Sequence, residues 1–503
     1  MADYNNQQQY GGNAASYYRP PGGQEAKPGY YPNQPPPQYG EQQQYDNQQA
    51  YGNGNAPNKQ DFHQTFRPEG SRFKDIWAAI LFLLVLAGFI AVSGLSIHGY
   101  SASSGQQGGG IYGDASTVGL NTNTIILLVI YITGILQIVF GIGTAVVYFA
   151  RHYYSAAIVF LLFSVFYIIC FISWIPRIPY SVLMLRTVID VSKRYGHVFV
   201  VSFIGGLVAT AFGAWFSVTL VAIYAKYEPG SPACSAGGGS CGKGTVIGLI
   251  VFATFAAYWI SEVIKNIMHV TISGVYGSWY FYSQKPMGVP RGATRGAFKR
   301  SMTGSFGSIC FGSLVVAIVQ FLRQAASVAQ QNSMGQGNIV GDIMFCFLQC
   351  LLWLLNWAVQ FINEYAFSYI ALYGKAYIGA AKATWHMIRD RGMDALINEC
   401  LINPVLTMGA VFVAYVCSFL AYLYVEFTKP GYNSSGAFTP VIMAFAFLIG
   451  LQIANVFLVP IKSGMSTFFV AMAFDPEVLI REYPSLWQEL IRVYPKVQEA
   501  VHC

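Results

Sequence analysis

The sequence predicts an all-α, polytopic membrane protein with about ten transmembrane helices and a disordered cytosolic N-terminal tail. Two observations carry this prediction. Of the 503 residues, 54% are hydrophobic and 10% are charged, whereas a soluble domain carries about 25% charged residues. The apolar residues also gather into runs of about 20, the length that a helix needs to cross a bilayer. The composition therefore excludes a soluble enzyme and a nucleic-acid-binding protein.

Residues 1–72 form a tail of a different kind. Gln and Pro runs alternate with Tyr-Gly pairs, and Leu, Ile and Val are scarce. Such a segment buries too little apolar surface to offset the entropy lost on ordering, so we predict disorder. The predicted transmembrane domain follows over residues 73–483, and a cytosolic C-terminal tail over residues 484–503.

Nine apolar runs are long enough to cross a bilayer, and a tenth is weaker. The nine are Ile76–Ile97, Thr124–Phe149, Tyr154–Ile175, Val198–Tyr224, Val246–Met268, Phe306–Val328, Ile343–Phe361, Leu401–Val425 and Phe438–Ile461. The tenth, Pro176–Val191, contains Arg177, Arg186 and Asp190. Hydropathy alone would discard it.

The distribution of basic residues decides in favour of the tenth span. With ten spans and a cytosolic N-terminus, the loop Tyr282–Gly304 faces the cytosol. Omitting Pro176–Val191 would place that loop outside. Lys and Arg beside spans prefer the cytosol, so we predict ten spans and cytosolic termini. The loop Tyr282–Gly304 carries five basic residues: Lys285, Arg291, Arg295, Lys299 and Arg300.

Two predicted outer loops carry candidate modification sites. Cys234 and Cys241 lie in a Gly/Ser-rich loop, where an oxidising exterior favours a disulfide. Asn433 begins an Asn-Ser-Ser sequon in the last, short outer loop, which makes it a candidate glycosylation site.

The sixth predicted span carries a polar stripe. At 100° per residue, Trp259, Glu262, Asn266, His269 and Ser273 fall within an arc of about 80°. Lipid does not solvate such a stripe, and ionisable residues inside spans are costly unless paired or hydrated. One interpretation is a polar seam between helices. We favour a functional site, because an aromatic ring, a carboxylate and an imidazole share one face.

Two stretches are longer than a bilayer requires. Val246–Phe281 is expected to bend, tilt or break near Gly274 and Gly277. Ile343–Tyr377 contains Glu364 within its apolar sequence. Discontinuous helices of this sort frame many transporter substrate sites at mid-membrane.

Aromatic residues make up 16% of the chain, and interfacial belts account for most of them. Some interior rings offer an alternative, because the faces of Trp and Tyr attract quaternary ammonium groups. The candidate cage consists of Trp259, Trp279, Tyr280, Trp353, Trp357 and Tyr369.

Several of these segments resemble the choline transporter-like family. The resemblance rests on Tyr258–Phe281, on the stretch leading into Gly304–Ser308, and on Ala371–Lys375. The tail resembles that of the fungal branch, the pH-nine-sensitive membrane proteins. The resemblance implies a ten-helix transporter at the plasma membrane that moves choline or a related amino alcohol in exchange with protons. Unlike the animal members, this chain has a short, Cys-free first outer loop.

The sequence therefore predicts a secondary transporter of a small organic cation, choline first, working by alternating access in the lipid bilayer. The predicted substrate-binding residues are Trp259, Glu262, Asn266, Trp279, Tyr280, Glu364 and Tyr369. Glu262 and His269 are the predicted proton-coupling residues. We predict no enzymatic activity, cofactor or metal. The alternative is a non-transporting membrane organiser whose N-terminal tail recruits cytosolic partners.

Overall fold

The computed structural model describes residues 73–100, 138–227 with short gaps up to residue 153, 242–335, 339–390, 402–429, and 439–497 without 496. Within these residues the fold is all-α, as predicted. The helices are α1 Ile76–Tyr100, α2 Tyr154–Trp174, α3 Ile178–Arg194, α4 His197–Tyr227, α5 Lys243–Tyr282, α6 Ala293–Met302, α7 Phe306–Gly335, α8 Ile339–Tyr373, α9 Tyr377–Asp390, α10 Ile402–Thr428, α11 Thr439–Phe474, α12 Pro476–Glu482 and α13 Pro484–Val493.

Eight stretches of the described residues are helical, long and apolar enough to cross a membrane. They are Ile76–Ser96, Ser164–Arg194, His197–Tyr227, Lys243–Tyr282, Phe306–Gln331, Ile343–Tyr373, Ile402–Thr428 and Ile442–Phe474. The predicted run Thr124–Phe149 lies mostly outside the described residues. The predicted third and fourth spans correspond to α2 and α3, which a 3-10 turn at Ile175–Arg177 joins. The protein is thus a multi-pass membrane protein, and the count of ten stays a prediction.

Three of the helices extend well beyond the apolar runs that predicted them. α5 continues to Tyr282, α8 to Tyr373 and α11 to Phe474. The expected break in α5 is absent, because the helix runs through Gly274 and Gly277. These two glycines instead allow α5 to pack closely against neighbouring helices. A Cβ at Gly274 would lie 2.8 Å from the Cβ of Ala297, and one at Gly277 would lie 2.3 Å from Leu372 Cδ2.

Several helix ends meet at one end of the bundle, which we call the loop end. The Lys74 amide donates to the Gly304 carbonyl at 3.1 Å. The Asp75 carboxylate accepts from Ser308 Oγ at 2.6 Å and from the Tyr377 amide at 2.8 Å. The start of α1 therefore lies beside residues 304–308 and beside the start of α9. Because Lys74 and Gly304 lie at the same end of the bundle, the chain between them has to cross the membrane an even number of times. The six spans predicted between these residues meet this requirement, whereas the five that remain without Pro176–Val191 do not.

Packing density changes along the helices, from the loop end to the opposite end, which we call the far end. Residues 365–372 of α8 and 463–473 of α11 are all buried, and so are residues 268–278 of α5. In contrast, every residue of α8 from 343 to 362 is at least partly exposed. On α11, the same holds for residues 442–459 apart from Gly450. The loop-end half thus contains the tightly packed parts of α8 and α11, while a second buried cluster joins α1, α4 and α5 and extends to Ile223 and Val246 in the far half.

Candidate functional site

Trp259 of the predicted stripe is a packing residue. Its side chain is buried, and its indole N–H donates to the Cys310 carbonyl on α7 at 3.0 Å. The ring meets Phe82 of α1 edge to face, with centroids 5.5 Å apart. With its ring packed against Phe82 and its N–H bonded to the Cys310 carbonyl, Trp259 joins α1 and α7 to α5.

Glu262 lies in a polar contact between α5 and α7. One carboxylate oxygen accepts from Gln320 Nε2 at 2.9 Å, and the other lies 3.4 Å from Lys265 Nζ. The Glu262 side chain is 10% exposed, whereas that of Lys265 is 56% exposed. The Lys265 ammonium therefore reaches open space, while the carboxylate is held against the helices. Because a carboxylate accepts up to about four hydrogen bonds, Glu262 keeps acceptor capacity.

His269 connects three helices at the level where dense packing begins. Its Nδ1 lies 2.8 Å from Ser463 Oγ on α11, and its Nε2 lies 2.9 Å from the Glu364 carbonyl on α8. A carbonyl oxygen only accepts, so Nε2 carries the hydrogen, and a neutral ring accepts from Ser463 at Nδ1. Asn266, one turn earlier on α5, donates to Ser313 of α7 at 2.9 Å. The stripe thus binds α5 to α7, α8 and α11.

Two charged side chains from other helices approach this region. Glu364 of α8 and Lys462 of α11 are both partly exposed. The Glu364 carboxyl group interacts electrostatically with Lys462 and with Lys265. Together with Glu262 they form a set of four ionisable side chains, two acidic and two basic, which we call the charged cluster: Glu262, Lys265, Glu364 and Lys462. The cluster lies at the boundary between the two halves of the bundle.

Sequence reasoning missed Lys462, Ser463 and Gln320. Lys462 directly follows Ile461, where hydropathy ended the last predicted span, although α11 continues to Phe474. Gln320 lies in the middle of α7. An isolated polar residue in a span is a signal for a partner on another helix. The partner of Gln320 is Glu262.

The predicted aromatic site residues lie elsewhere, at the loop end. Eighteen residues of continuous helix separate Glu262 from Tyr280, which is about 27 Å along the axis. The Tyr280 hydroxyl donates to the Asp475 carbonyl at 2.9 Å, and its ring stacks on Tyr483. Trp279 also contacts Tyr483, with centroids 5.1 Å apart. These rings pack on one another and close the loop end.

The remaining aromatic residues of the predicted cage are also dispersed. Tyr369 is buried against Tyr373 and Phe474, with ring centroids at 4.5 Å and 4.8 Å. Trp353 and Trp357 lie on the far half of α8 and are 54% and 56% exposed. The six rings therefore do not form one cage in this conformation. Cys234, Cys241 and Asn433 lie outside the described residues.

Comparison with known proteins identifies the family. A profile described as plasma-membrane choline transporter matches residues 158–477. The chain belongs to this family. Protein pns1 of Aspergillus fumigatus is 55% identical over 505 residues, covering 95% of this chain and 90% of that protein. Protein PNS1 of Gibberella zeae is 54% identical over 473 residues (89% and 87%), and that of Saccharomyces cerevisiae is 42% identical over 467 residues (87% and 87%).

The predicted resemblance, including its fungal branch, is thereby confirmed. The family match runs from within α2 to α12 and contains the whole charged cluster and His269. The N-terminal tail lies outside the matched residues. Membership in a transporter family places the protein in a lipid bilayer and gives it a small-molecule substrate.

Proposed function

We propose that this protein is a plasma-membrane secondary transporter of a small organic cation, with choline as the first candidate, that works by alternating access. The observation that carries the proposal is the position of the charged cluster. It lies midway along α5 and about two-thirds of the way along α8 and α11, where the buried loop-end halves of α8 and α11 give way to exposed far-end halves. A transporter needs a polar site at this depth.

The two ends of the bundle support an alternating mechanism. The loop end is closed by rings of Trp279, Tyr280, Tyr483 and Phe468. The charged cluster lies on the other side of this closure, where Lys265 is exposed. In this conformation a substrate would enter from the far end. Release at the loop end would require the aromatic closure to separate.

The charges of the loop end support its assignment to the cytosol. Lys285, Arg291, Arg295 and Lys299 lie there, and basic residues beside spans prefer the cytosol. With the start of α1 and helices α12 and α13 at the same end, both termini are cytosolic in this proposal. The conformation is then open to the outside and closed to the cytosol.

Each predicted residue takes a role that follows from its position. Glu262 and Glu364 supply negative charge for the ammonium group, and Asn266 holds α7 against the site. His269, between Ser463 and the Glu364 carbonyl, relays the exchanged proton together with Glu262. Trp279, Tyr280 and Tyr369 would contact the substrate only after the loop end opens.

The test is uptake of labelled choline into proteoliposomes, with and without an imposed pH gradient. We expect saturable uptake that follows the gradient. Glu364→Gln should lower kcat/KM by about tenfold or more, because one of the two counter-charges is lost. Glu477→Gln, an exposed carboxylate on α12, is the matched control and should leave uptake unchanged.

Three results would contradict parts of the proposal. Saturable uptake that ignores the gradient would remove the proton role from Glu262 and His269. Unchanged uptake in Glu262→Gln and Glu364→Gln would refute the site. If folded protein moves neither choline nor other amines, the membrane organiser becomes the better explanation.

A further inference from the structure

A cavity of about 1580 Å³ lies between α1, α4 and α6, over one face of α5. None of the four residues of the charged cluster lines it, so it is separate from the proposed substrate site. We call it the side groove, and its walls include Leu83 and Leu86 of α1, Ile204 and Val208 of α4, and Ile264 and Met268 of α5.

The side groove opens to the outside of the bundle. Leu83, Ile204 and Val208 belong to spanning helices, yet about half of the surface of each is exposed. Apolar side chains exposed on a spanning helix are solvated by lipid. The groove is therefore accessible from the bilayer.

Contacts between α1 and α4 end the side groove toward the far end. Trp215 and Thr219 of α4 both donate to Ser93 Oγ of α1, Thr219 at 2.9 Å. The ring of Phe89 packs on Phe212 and Trp215, with centroids 5.5 Å and 5.2 Å away. Phe212 and Trp215 also line the groove. The groove thus ends at these rings and extends from them toward the loop end.

The length of the side groove suits an acyl chain. Its lining residues on α5 run from Ile260 to Val275, about 22 Å along the helix axis. One leaflet contributes about half of the roughly 30 Å of hydrocarbon in a bilayer. The groove is therefore at least as long as one leaflet is deep, and a long apolar chain fills it better than a small polar solute does.

The loop-end opening of the side groove is positively charged. Three exposed arginines line it: Arg194 at the end of α3, Arg291 before α6, and Arg295 in the first turn of α6. The described lining residues include no Asp or Glu. Within the part of the chain that the structure describes, no ion pair involves these arginines, and Asp190 pairs with Arg186 at 3.8 Å.

This distribution of charge selects the ligand. A small organic cation would be repelled by the arginines and would find no counter-charge among the described lining residues. An uncharged apolar molecule would fill the groove but leave the guanidinium groups without an anion. A molecule with an anionic head and a long apolar chain satisfies both parts. Basic pockets between spanning helices bind the head groups of anionic lipids in this way.

We propose that the side groove is a binding site for an anionic glycerophospholipid of the loop-end leaflet. One acyl chain lies along α5 between α1 and α4, and the phosphate lies against Arg291 and Arg295. Guanidinium groups suit this role because they form paired hydrogen bonds with phosphate oxygens. The inference goes beyond the proposed function, since it concerns a second site and a ligand that is not transported.

The test compares two lipids that differ only in the head group. Phosphatidylserine and phosphatidylcholine with identical palmitoyl and oleoyl chains are added to the purified full-length protein in detergent. Native mass spectrometry measures Kd for the first lipid bound. We expect phosphatidylserine to bind about tenfold more tightly, because only its head group carries a net negative charge.

A double substitution tests the contribution of the arginines. Arg291→Gln combined with Arg295→Gln should weaken binding of phosphatidylserine by about tenfold and that of phosphatidylcholine by clearly less. Lys285→Gln combined with Lys382→Gln is the matched control. It removes the same charge from two exposed side chains that do not line the groove, so both Kd values should stay unchanged.

A second variant tests where the acyl chain lies and leaves every charge in place. Val208→Phe puts a larger side chain into the groove and should weaken binding of both lipids by about tenfold. Val221→Phe is the control, because Val221 belongs to the same helix and is similarly exposed but does not line the groove. Thermal unfolding of both variants checks that the fold is kept.

Three outcomes would overturn the inference. Equal Kd values for the two lipids would show that the arginines do not select an anionic head. An equal loss in the lysine control would show that the preference comes from general surface charge. Unchanged binding in folded Val208→Phe would show that lipid does not occupy the groove, and the predicted span Thr124–Phe149 would then be the alternative occupant. None of these results bears on transport of a cation, which uses the other site.

Discussion

The far half and the loop-end half of α8 belong to one continuous helix, yet they have opposite environments. Phe347 in the far half is 72% exposed, whereas Phe367 in the loop-end half is 1% exposed and meets the ring of His269. The local sequence is aromatic and apolar in both halves. The difference teaches that hydrophobicity alone does not place a residue in the core of a membrane protein, because lipid solvates an apolar surface as well as protein does.

What distinguishes the loop-end half is small and polar residues that allow close contact. A Cβ at Gly312 would lie 2.6 Å from the rings of both Phe367 and Tyr377. Asn363 donates to the Gly312 carbonyl at 3.0 Å and accepts from the Tyr377 hydroxyl at 2.6 Å. Backbones approach closely where glycine removes the side chain, and buried polar groups then find partners.

The largest expected effect compares the same substitution in the two halves of α8. Phe367→Ala should destabilise the protein by about 3 kcal/mol, because it leaves a cavity between α7, α8 and α9 that lipid does not reach. Phe347→Ala should change stability by less than about 0.5 kcal/mol. Thermal unfolding of both variants in detergent measures the difference. Equal shifts would show that the two halves are packed alike.

A pair of glycines tests backbone contact at the loop end. A Cβ at Gly307 would lie 2.2 Å from the Lys74 carbonyl oxygen and 2.3 Å from that of Asp75. Gly307→Ala should therefore force the start of α1 away from α7 and destabilise by about 2 kcal/mol. Gly248, on the far half of α5, has open space around it.

Gly248→Ala serves as the control for that change. Alanine favours an exposed helix interior over glycine by up to about 1 kcal/mol, so this variant should be neutral or more stable. The melting temperature of Gly307→Ala should fall, and that of Gly248→Ala should stay the same or rise. A neutral Gly307→Ala would mean that α1 does not hold this close contact in solution.

The closure at the loop end should also respond to alkaline pH. Burial raises the pKa of Tyr483 to about 12, while an unfolded chain ionises its tyrosines near pH 10. The folded state holds this proton more tightly, so stability is intact below about pH 10 and is lost as pH rises toward 12. The loss is at most about 1.4 kcal/mol per pH unit for this group.

Tyr483→Phe isolates that contribution. At neutral pH it removes the hydrogen bond to the Trp279 carbonyl, 2.8 Å long, and should destabilise by about 1 kcal/mol. Between about pH 10 and 11 its stability should fall less steeply than that of the parent protein. Tyr424→Phe, at an exposed position on α10, should keep the parent slope. Identical slopes for all three proteins would contradict the buried position of the Tyr483 hydroxyl.

The smallest effect concerns the point on α11 where the two halves meet. Pro460 lies inside the helix and has no amide hydrogen to donate to the Val456 carbonyl four residues earlier. Ser202 Oγ of α4 donates to that carbonyl at 2.5 Å instead. Ser202→Ala should destabilise by about 1 kcal/mol, because it leaves the Val456 carbonyl without a donor.

A double-mutant cycle checks this assignment. In a Pro460→Ala background the amide of residue 460 satisfies Val456, so Ser202→Ala should then have nearly no effect. The coupling energy from four thermal unfolding curves should be about 0.5–1 kcal/mol. Additive effects would show that Ser202 stabilises the protein through another contact.

Several features of the fold and site were predictable because they depend on local chemistry. The length of apolar runs predicted most of the spanning helices, and the costly charges within them pointed to Glu262, His269 and Glu364. The over-long stretches Val246–Phe281 and Ile343–Tyr377 anticipated the ends of α5 at Tyr282 and of α8 at Tyr373. The end of α11 was not predictable in the same way. Hydropathy ended that span before the polar residues Lys462 and Ser463, and a single segment does not reveal that Ser463 bonds to His269 on α5.

The predicted aromatic site failed to assemble for a related reason. Trp259, Trp279 and Tyr280 share one helix, yet helical rise separates the first from the other two by about 30 Å. Sequence spacing shows which face a residue occupies. It does not show which neighbouring helix covers that face, and here Cys310 covers Trp259 while Tyr483 covers Trp279 and Tyr280.

The sequence by itself determined that this chain is a helical membrane protein, which family it resembles, and which helix carries its polar stripe. These properties follow from composition, run length and short motifs, all of which act locally. Only the tertiary structure decided that Ser463 and the Glu364 carbonyl meet the stripe at His269 and that the aromatic rings pack together at the loop end. Such contacts join segments far apart in the chain, because buried polar groups and close-packed glycines are satisfied between helices.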